Sequence, residues 1–332
     1  MKRSPLIVIG ASAGGVSALR SLVAGLRPDL ASPILIVLHI GAHRSLLPEV
    51  LNTRGLHVKH AEEGEPILPG QIYIAPPDRH MTILDGCVQL TRGPKENWAR
   101  PAIDPLFRSA AQSHGPAAIG VILTGRINDG TLGLGEIKRR GGITIVQDPN
   151  DADYPEMPRS AAAHVKVDYC LPLAEIPGLL NRLVAGGQAA MATTTSSIPE
   201  GARAMTNGEE FDRPLTVTCP DCGGALRRKE IGTMTEYRCH IQHVYTAEVL
   251  AAAQFDQMEQ LLRAAERSVN ERAEVCRQMS DRANASGAAD EEHRWLAAVL
   301  QATDRAHELR DFVERDWLRP QRDILDPASS RP

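Results

Sequence analysis

A short apolar run that ends among glycines constrains this chain more than any other feature. Residues 6–9 are four consecutive apolar residues, which predicts a buried strand. Three glycines between residues 10 and 15 break the run, and apolar residues at helical spacing follow from Val16. Ser12 is therefore predicted on a tight strand-to-helix turn.

The turn around Ser12 has three interpretations. Its small neighbours match a nucleophile elbow, in which a tight turn lifts a serine hydroxyl out of the sheet. The backbone N–H groups of Ala13 and Gly14 would then face a developing oxyanion. The glycines could instead hold a phosphate, although the G-x-G-x-x-G spacing is absent. Ser12 could also be only the N-cap of the helix.

Length and charge narrow the class of protein. A chain of 332 residues is long enough for two or three folded units. The formal net charge of -4 argues against nucleic acid as the main partner. No apolar run approaches the roughly 20 residues of a membrane helix, so no membrane insertion is expected. The apolar stretch at the N-terminus is too short for a secretion signal, and we expect a cytoplasmic protein.

The pattern along the chain predicts four segments. Residues 1–185 alternate strands with helices, which predicts an α/β fold with a doubly wound, mostly parallel sheet covered on both faces. Residues 186–214 are small and polar, as in a flexible linker. Residues 215–246 form a cysteine-containing module. Residues 247–320 predict an α-helical hairpin with its turn near residues 284–288.

Two further residues are expected at the edge of the sheet that holds Ser12. His39 ends the predicted strand 33–39, and Asp129 follows the predicted strand 119–123. Sites in such sheets lie at the carboxyl ends of strands, and a nucleophilic serine needs a base and a carboxylate. His39 could equally be a hydrogen-bonded structural residue, and Asp129 could be a helix N-cap. Four other histidines are rival bases, none at the end of a predicted core strand: His43, His57, His60 and His80.

The cysteine module has the spacing of a zinc ribbon. Cys219 and Cys222 form one pair, and Cys239 with His243 forms a second. Together they predict a closed tetrahedral site for a structural zinc ion. His240 is a rival fourth ligand. A redox C-x-x-C pair is the alternative, but the βαβ context of a thioredoxin is absent.

Seven short motifs follow one another along the chain, at residues 10–15, 37–39, 72–81, 101–110, 120–125, 128–130 and 157–159. In these motifs, residues 5 to about 185 resemble the catalytic domain of the chemotaxis protein-glutamate methylesterases, the CheB family. In that family the glycine-flanked serine is the nucleophile, the strand-end histidine is the base, and the Asn-Asp-Gly aspartate completes the triad. The resemblance assigns these roles to Ser12, His39 and Asp129. The matching motifs stand in the family's order across the whole domain.

This resemblance implies hydrolysis of glutamate γ-methyl esters on a methylated chemoreceptor, with release of methanol. It also implies that a receptor glutamine could be deamidated, and it implies no cofactor for catalysis. Well-known members carry an N-terminal receiver domain, whereas this sequence begins at the catalytic strand, so we expect a catalytic domain without one. The alternative is a catalytically weak scaffold that binds a signalling partner through the C-terminal zinc and helical region.

The sequence departs from the family pattern beside the triad. The family's Gly-Met-Gly-Asn-Asp-Gly loop reads Gly-Arg-Ile-Asn-Asp-Gly at residues 125–130, so Arg126 and Ile127 are new. Arg126 could attract an acidic substrate surface or project into solvent. Leu38 and Ile40 flank the histidine where the family has Gln and Met.

Overall fold

The computed structural model describes residues 4–40, 45–52, 56–191 and 216–315. The chain forms two compact units, residues 1–250 and residues 251–332. No helix in the described part of the chain combines the length and the apolar character needed to cross a bilayer.

The secondary structure alternates as the sequence predicts. The described residues contain twelve strands: β1 (Leu6–Ala11), β2 (Ile34–Leu38), β3 (His57–His60), β4 (Gln71–Ile74), β5 (His80–Leu84), β6 (Cys87–Thr91), β7 (Ala118–Ile122), β8 (Ile143–Gln147), β9 (Tyr169–Leu171), β10 (Leu226–Ile231), β11 (Met234–Cys239) and β12 (Val244–Thr246). They also contain eight α-helices: α1 (Gly15–Ala24), α2 (Leu47–Leu51), α3 (Ile103–His114), α4 (Thr131–Arg139), α5 (Glu156–His164), α6 (Ile176–Met191), α7 (Ala247–Ala285) and α8 (Ala289–Glu314).

A seven-stranded sheet forms the centre of the first unit. Its strand order is β3-β4-β2-β1-β7-β8-β9, and every neighbouring pair is parallel. β1 is buried along its whole length. Ile7 and Ile9 pack into one hydrophobic cluster, and Leu6 and Val8 pack into a second. Since side chains alternate along a strand, these clusters lie on opposite faces, and the predicted doubly wound α/β fold is confirmed.

The cysteine module is a small antiparallel sheet within the first unit. Its strand order is β10-β11-β12, and α7 begins directly after β12. The predicted linker is partly helical, because α6 continues to Met191. The remainder of that predicted linker, residues 192–214, lies outside the described residues.

The second unit contains the rest of α7 together with α8. A turn at residues 286–288 joins the two helices, and Gly287 has φ 72°, a conformation that glycine adopts without steric cost. Arg310 of α8 forms an ion pair with Glu266 of α7, with 2.9 Å between Nε and Oε1. The predicted helical hairpin is therefore present. The last five residues of the predicted hairpin, 316–320, lie outside the described residues.

Candidate active site

The turn that carries Ser12 is held by the neighbouring strand. The Ser12 N–H donates to the carbonyl of Thr124 at 3.0 Å, and the Thr124 hydroxyl donates to the carbonyl of Ala13 at 3.0 Å. Gly14, with φ 74°, is the N-cap of α1. The interpretation of Ser12 as the helix N-cap is therefore wrong, and its hydroxyl is available for another partner.

Gly125 packs so closely on Ser12 that it has no room for a side chain. A Cβ atom at Gly125 would lie 2.9 Å from the Cβ of Ser12 and 2.2 Å from the Sδ of Met157. Real Cβ atoms do not make such contacts. The glycine therefore allows the loop after β7 to approach the serine.

Ser12, His39 and Asp129 form a continuous hydrogen-bonded chain. The Oγ of Ser12 lies 3.1 Å from Nδ1 of His39, and Nε2 of His39 lies 2.8 Å from Oδ2 of Asp129. Because an ionised carboxylate only accepts hydrogen bonds, Nε2 carries the imidazole proton. The lone pair on Nδ1 is then free to accept the serine proton.

Asp129 is buried and surrounded by donors. Its carboxylate accepts hydrogen bonds from the backbone N–H of Ile103 at 2.6 Å, from Gly130 at 3.0 Å and from the Asn97 amide at 2.9 Å. Burial alone would raise the pKa of Asp129. The hydrogen bond and charge of His39, with the donors of Ile103 and Asn97, outweigh burial and hold that pKa below its ordinary value. Asp129 therefore stays ionised, as an orienting carboxylate requires.

A second buried carboxylate, Asp104, lies beside the triad. The Nδ2 of Asn97 donates to both Asp104 and Asp129, at 2.9 Å in each case. Burial, and then the charge of Asp129, raises the pKa of Asp104 well above its ordinary value. Sequence reasoning missed Asn97 and Asp104 as functional residues. Asp104 falls within the matching motif at 101–110, but no spacing signal points to Asn97.

Ala13 and Gly14, the expected oxyanion donors, lie on the serine turn, and Arg126 lies in the loop that carries Asp129. Among the described residues, no carbonyl accepts a hydrogen bond from the N–H of Ala13 or Gly14. Arg126 is exposed, and its guanidinium carbon lies 5.1 Å from the centre of the Tyr154 ring. This stacking is a cation–π contact, which orients the side chain of Arg126.

The rival histidines have other partners or are not described. His80 is buried, donates from Nε2 to the carbonyl of Pro94 at 2.9 Å, and accepts from the N–H of Ala102 at 3.3 Å. His60 Nε2 lies 3.3 Å from the carbonyl of Ser45. His57 lies 3.3 Å from the side-chain amide of Gln71. His43 lies outside the described residues.

The cysteine module brings its four predicted ligands together. Their ligand atoms all lie within 4.8 Å of one another: Cys219, Cys222, Cys239 and His243. A tetrahedral zinc site with Zn–S bonds of ~2.3 Å places two sulfurs about 3.8 Å apart, and a sulfur and a nitrogen about 3.5 Å apart. The structure has 3.7 Å between the sulfurs of Cys222 and Cys239, and 3.5 and 3.6 Å from His243 Nδ1 to Cys239 and Cys219.

The surroundings of this cluster also match a cation site. Burial and the adjacent sulfurs of Cys219 and Cys239 raise the pKa of the Cys222 thiol to about 11, a cost that a bound cation would remove. The hydroxyl of Tyr245 lies 3.3 Å from the Cys219 sulfur and donates to Asp221 at 2.6 Å. His240, the rival ligand, is exposed and is not part of the cluster. The residues present can therefore hold a metal ion.

Comparison with known proteins identifies the relatives of the first 180 residues. A relative from Leptospira interrogans is 42% identical over 183 residues, which is 53% of this chain and 93% of that protein. The protein-glutamate methylesterase/protein-glutamine glutaminase 2 of Anaeromyxobacter dehalogenans is 39% identical over 183 residues, and the match spans 54% of each chain. This chain therefore matches about half the length of that second relative.

A solved structure shows the same fold. The crystal structure of the Thermotoga maritima CheB methylesterase catalytic domain is 35% identical in sequence and superposes with a TM-score of 0.52. The match covers 99% of that chain and 55% of this one. The family model for CheB methylesterase matches residues 7–180, more than half of this sequence. The resemblance read from the motifs is confirmed, and the chain belongs to the CheB methylesterase family.

Proposed function

We propose that this chain is a protein-glutamate methylesterase in which Ser12 is the nucleophile, His39 the general base and Asp129 the orienting carboxylate. The observation that carries the proposal is the unbroken hydrogen-bonded chain from Ser12 Oγ through both imidazole nitrogens to Asp129. Such a chain activates a hydroxyl that is otherwise a weak nucleophile.

The first half of the reaction makes an acyl-enzyme. The Oγ of Ser12 attacks the γ-carbonyl carbon of a methylated glutamate while its proton passes to Nδ1 of His39. Negative charge develops on the carbonyl oxygen, and the N–H groups of Ala13 and Gly14 are the proposed donors to it. The bond to the methoxy group then breaks, and His39 returns the proton to that group, which leaves as methanol.

The second half regenerates the enzyme. Water attacks the acyl carbon, and His39 takes the proton from that water. The bond to Ser12 Oγ breaks, His39 gives the proton back to the serine, and a glutamate carboxyl group is released. If the substrate is a glutamine side chain, the same sequence releases ammonia instead of methanol, which is a deamidation.

We extend the proposal to the substrate surface. Arg126 offers an exposed cation in the loop that carries Asp129. Its contact with the Tyr154 ring holds the guanidinium while leaving its edge open for hydrogen bonds. Arg126 would therefore bind an acidic segment of the receptor.

A structural zinc ion in the cysteine module is part of the same proposal. Cys219, Cys222, Cys239 and His243 would hold it as a closed four-ligand site, and the ion would crosslink the module. A closed site leaves no position for substrate, so the metal takes no part in hydrolysis. A cytoplasmic location follows from this proposal, because reducing compartments keep such thiols free to bind metal.

Metal analysis of the purified protein tests the zinc site. We expect one zinc ion per chain, and we expect Cys239→Ser to lower the bound zinc while Cys170→Ser, at an exposed cysteine outside the cluster, leaves it unchanged. Purified protein that holds no metal after growth with zinc would contradict the assignment.

The second candidate function is a scaffold that binds a signalling partner through its C-terminal region. The observation in its favour is the exposure of large apolar side chains on α7 and α8: Leu261 is 62% and Leu300 67% exposed. Such a scaffold would not need turnover at Ser12.

Methanol release distinguishes the two functions. Membranes that carry a methylated receptor are incubated with wild-type protein, with Ser12→Ala and with Ser17→Ala, which removes an exposed hydroxyl from α1. We expect release by wild type and Ser17→Ala, and a loss of about 10⁴-fold or more in Ser12→Ala. Release that does not depend on Ser12 would refute the proposed nucleophile, and no release from any tested receptor would favour the scaffold.

A further inference from the structure

Two loops meet at Asp129: the loop that contains it and the loop that contains Asn97. Both have residues in the left-handed backbone region, which side chains disfavour. Asn97 has φ 49° and Trp98 has φ 64°, and Ile127 has φ 63°. Asparagine tolerates this left-handed region, but a bulky or β-branched residue there is an outlier. Such residues persist only where the surrounding structure holds them.

Both loops are bound by residues 244–248, which we call the clamp segment. The carbonyl of Val244 accepts the N–H of Asn97 at 2.7 Å, and the N–H of Val244 donates to the carbonyl of Lys95 at 3.3 Å. The N–H of Thr246 donates to Oδ1 of Asn97 at 3.1 Å. The loop that carries Asn97 is therefore bound along its backbone and at its side chain.

The contact with Thr246 decides which way the Asn97 amide faces. With Oδ1 held by the Thr246 N–H, the two protons on Nδ2 point to Asp104 and Asp129. A flipped amide would place two donors against each other at Thr246 and an oxygen against two carboxylates. The clamp segment thus fixes the orientation in which Asn97 can donate to Asp129.

The clamp segment also holds the residue beside Asp129 in the chain. The hydroxyl of Thr246 donates to Oδ1 of Asn128 at 2.9 Å, and Nδ2 of Asn128 donates to Oε2 of Glu248 at 2.8 Å. Asn128 is buried and lies between the strained Ile127 and Asp129. Both ends of its amide are therefore anchored on the clamp segment.

We propose that Asn97 is a positioning residue for the triad carboxylate Asp129, and that the clamp segment of the cysteine module fixes both Asn97 and Asn128. The clamp begins one residue after His243, so the module places its own end against the catalytic loops. The effect on turnover rests on the proposed esterase function, since Asp129 acts through His39. The effect on the His39–Asp129 hydrogen bond does not depend on any substrate.

Three variants in the full chain test this proposal. Asn97→Gly removes the side-chain amide, and glycine readily adopts the positive φ of this position. Thr246→Val removes the hydroxyl that donates to Asn128 but keeps the shape of the side chain. The matched control is Thr235→Val, in β11 of the same module, whose hydroxyl donates to Glu230 at 2.8 Å. All three are compared for thermal stability, for kcat and KM in methanol release, and for the His39 Nε2 proton in ¹⁵N-histidine-labelled protein.

We expect the proton shared by His39 and Asp129 to give a far-downfield NMR signal in wild type and Thr235→Val. That signal should move or broaden in Asn97→Gly and, to a smaller extent, in Thr246→Val. The kcat should fall about 10- to 100-fold in Asn97→Gly with KM unchanged, because the change misplaces a catalytic group without touching the substrate.

The proposal is overturned if Asn97→Gly and Thr246→Val lower stability but leave the signal and kcat as in wild type, since that is a purely structural role. A receptor that releases no methanol with wild-type protein would remove the proposed function. The NMR signal would still decide whether the clamp segment positions Asp129.

Discussion

The turn that carries Ser12 and the loop that carries Asp129 lie at the same edge of the sheet but are held in different ways. In the serine turn the positive φ falls on a glycine, Gly14, and the partner that holds the turn is Thr124, which lies just after the neighbouring strand β7. In the loop that carries Asp129 a positive φ falls on Ile127 as well as on Gly130, the N-cap of α4, and the partners of Asn128 are Thr246 and Glu248.

This difference separates what the catalytic sheet holds by itself from what depends on the clamp segment. Ser12 is placed by the turn's own glycine and by the core of the catalytic sheet. Asp129 is bound by Ile103, Gly130 and Asn97. The two asparagines that flank it, Asn97 and Asn128, are in turn bound by the clamp segment, which lies outside the catalytic sheet. Mutations far from Ser12 in sequence can therefore change the reaction by moving Asp129 alone.

The largest effect is expected when Asp129 loses its charge. Asp129→Asn leaves the serine turn intact but supplies an amide to Nε2 of His39, which favours the wrong tautomer. We expect kcat to fall on the order of 10⁴-fold, the loss found when a triad aspartate becomes an amide. Asp85→Asn, at an exposed hairpin turn, is the control. A kcat within tenfold of wild type would show that Asp129 does not orient the base.

The turn that carries Ser12 should be disturbed by a single methyl group added at Gly125. Gly125→Ala places a Cβ against Ser12 and Met157, and we expect about 1–3 kcal/mol of lost stability and a kcat about 10²-fold lower. Gly135→Ala in α4 is the matched control, because its nearest neighbour would be Val165 at an ordinary 3.7 Å. The control should keep full activity and gain slightly in stability. Equal effects of the two changes would contradict the close packing behind Ser12.

The free energy of unfolding should also depend on pH through His80, which holds the segment that leads to Asn97. Burial lowers the pKa of His80 below its ordinary 6.5, so the unfolded chain binds more protons once the pH falls below that value. The contribution of neutral His80 to the free energy of unfolding is fully present above pH 6.5. It should fall by up to about 1.4 kcal/mol per pH unit between pH 6.5 and the pKa of His80 in the folded protein. Chemical denaturation of wild type and His80→Gln at several pH values measures this pH dependence. The same dependence of the free energy of unfolding on pH in His80→Gln would show that His80 does not cause it.

The smallest effect should come from a substitution of Ile127, the residue with the strained backbone. Ile127→Gly relieves the left-handed strain but adds entropy to the unfolded chain, so we expect a net gain of about 0.5–1 kcal/mol. Ile231→Gly, in the regular strand β10, should instead destabilise the protein. Denaturant midpoints of both variants check the sign, and a loss at Ile127 as large as at Ile231 would show that the loop is not strained.

Sequence reasoning was most successful on the serine side. Residues 6–15 combine an apolar strand with glycines, and this pattern is local, so the turn and the position of Ser12 were predicted correctly. His39 and Asp129 were also placed at the same edge, because the carboxyl ends of parallel strands meet there. The hydrogen bonds among the three residues match that prediction.

The support of the carboxylate could not be predicted in the same way. Asn97 follows no regular strand or helix, and its partner Thr246 lies 149 residues away in a separate small sheet. Only the folded chain shows that an amide, two carboxylates and a backbone N–H meet there. The ligand set of the cysteine module was predictable because metal sites have characteristic local spacings, whereas docking of that module beside the triad has none.

Site-resolved mass spectrometry of a methylated receptor tests the central claim most directly, since it reads the ester bond itself. Receptor is incubated with wild-type protein or Ser12→Ala, and each methylated glutamate is followed to the free acid. The account predicts conversion by wild type and none above background by Ser12→Ala. Esters that survive wild-type protein, or that disappear equally with Ser12→Ala, would contradict it.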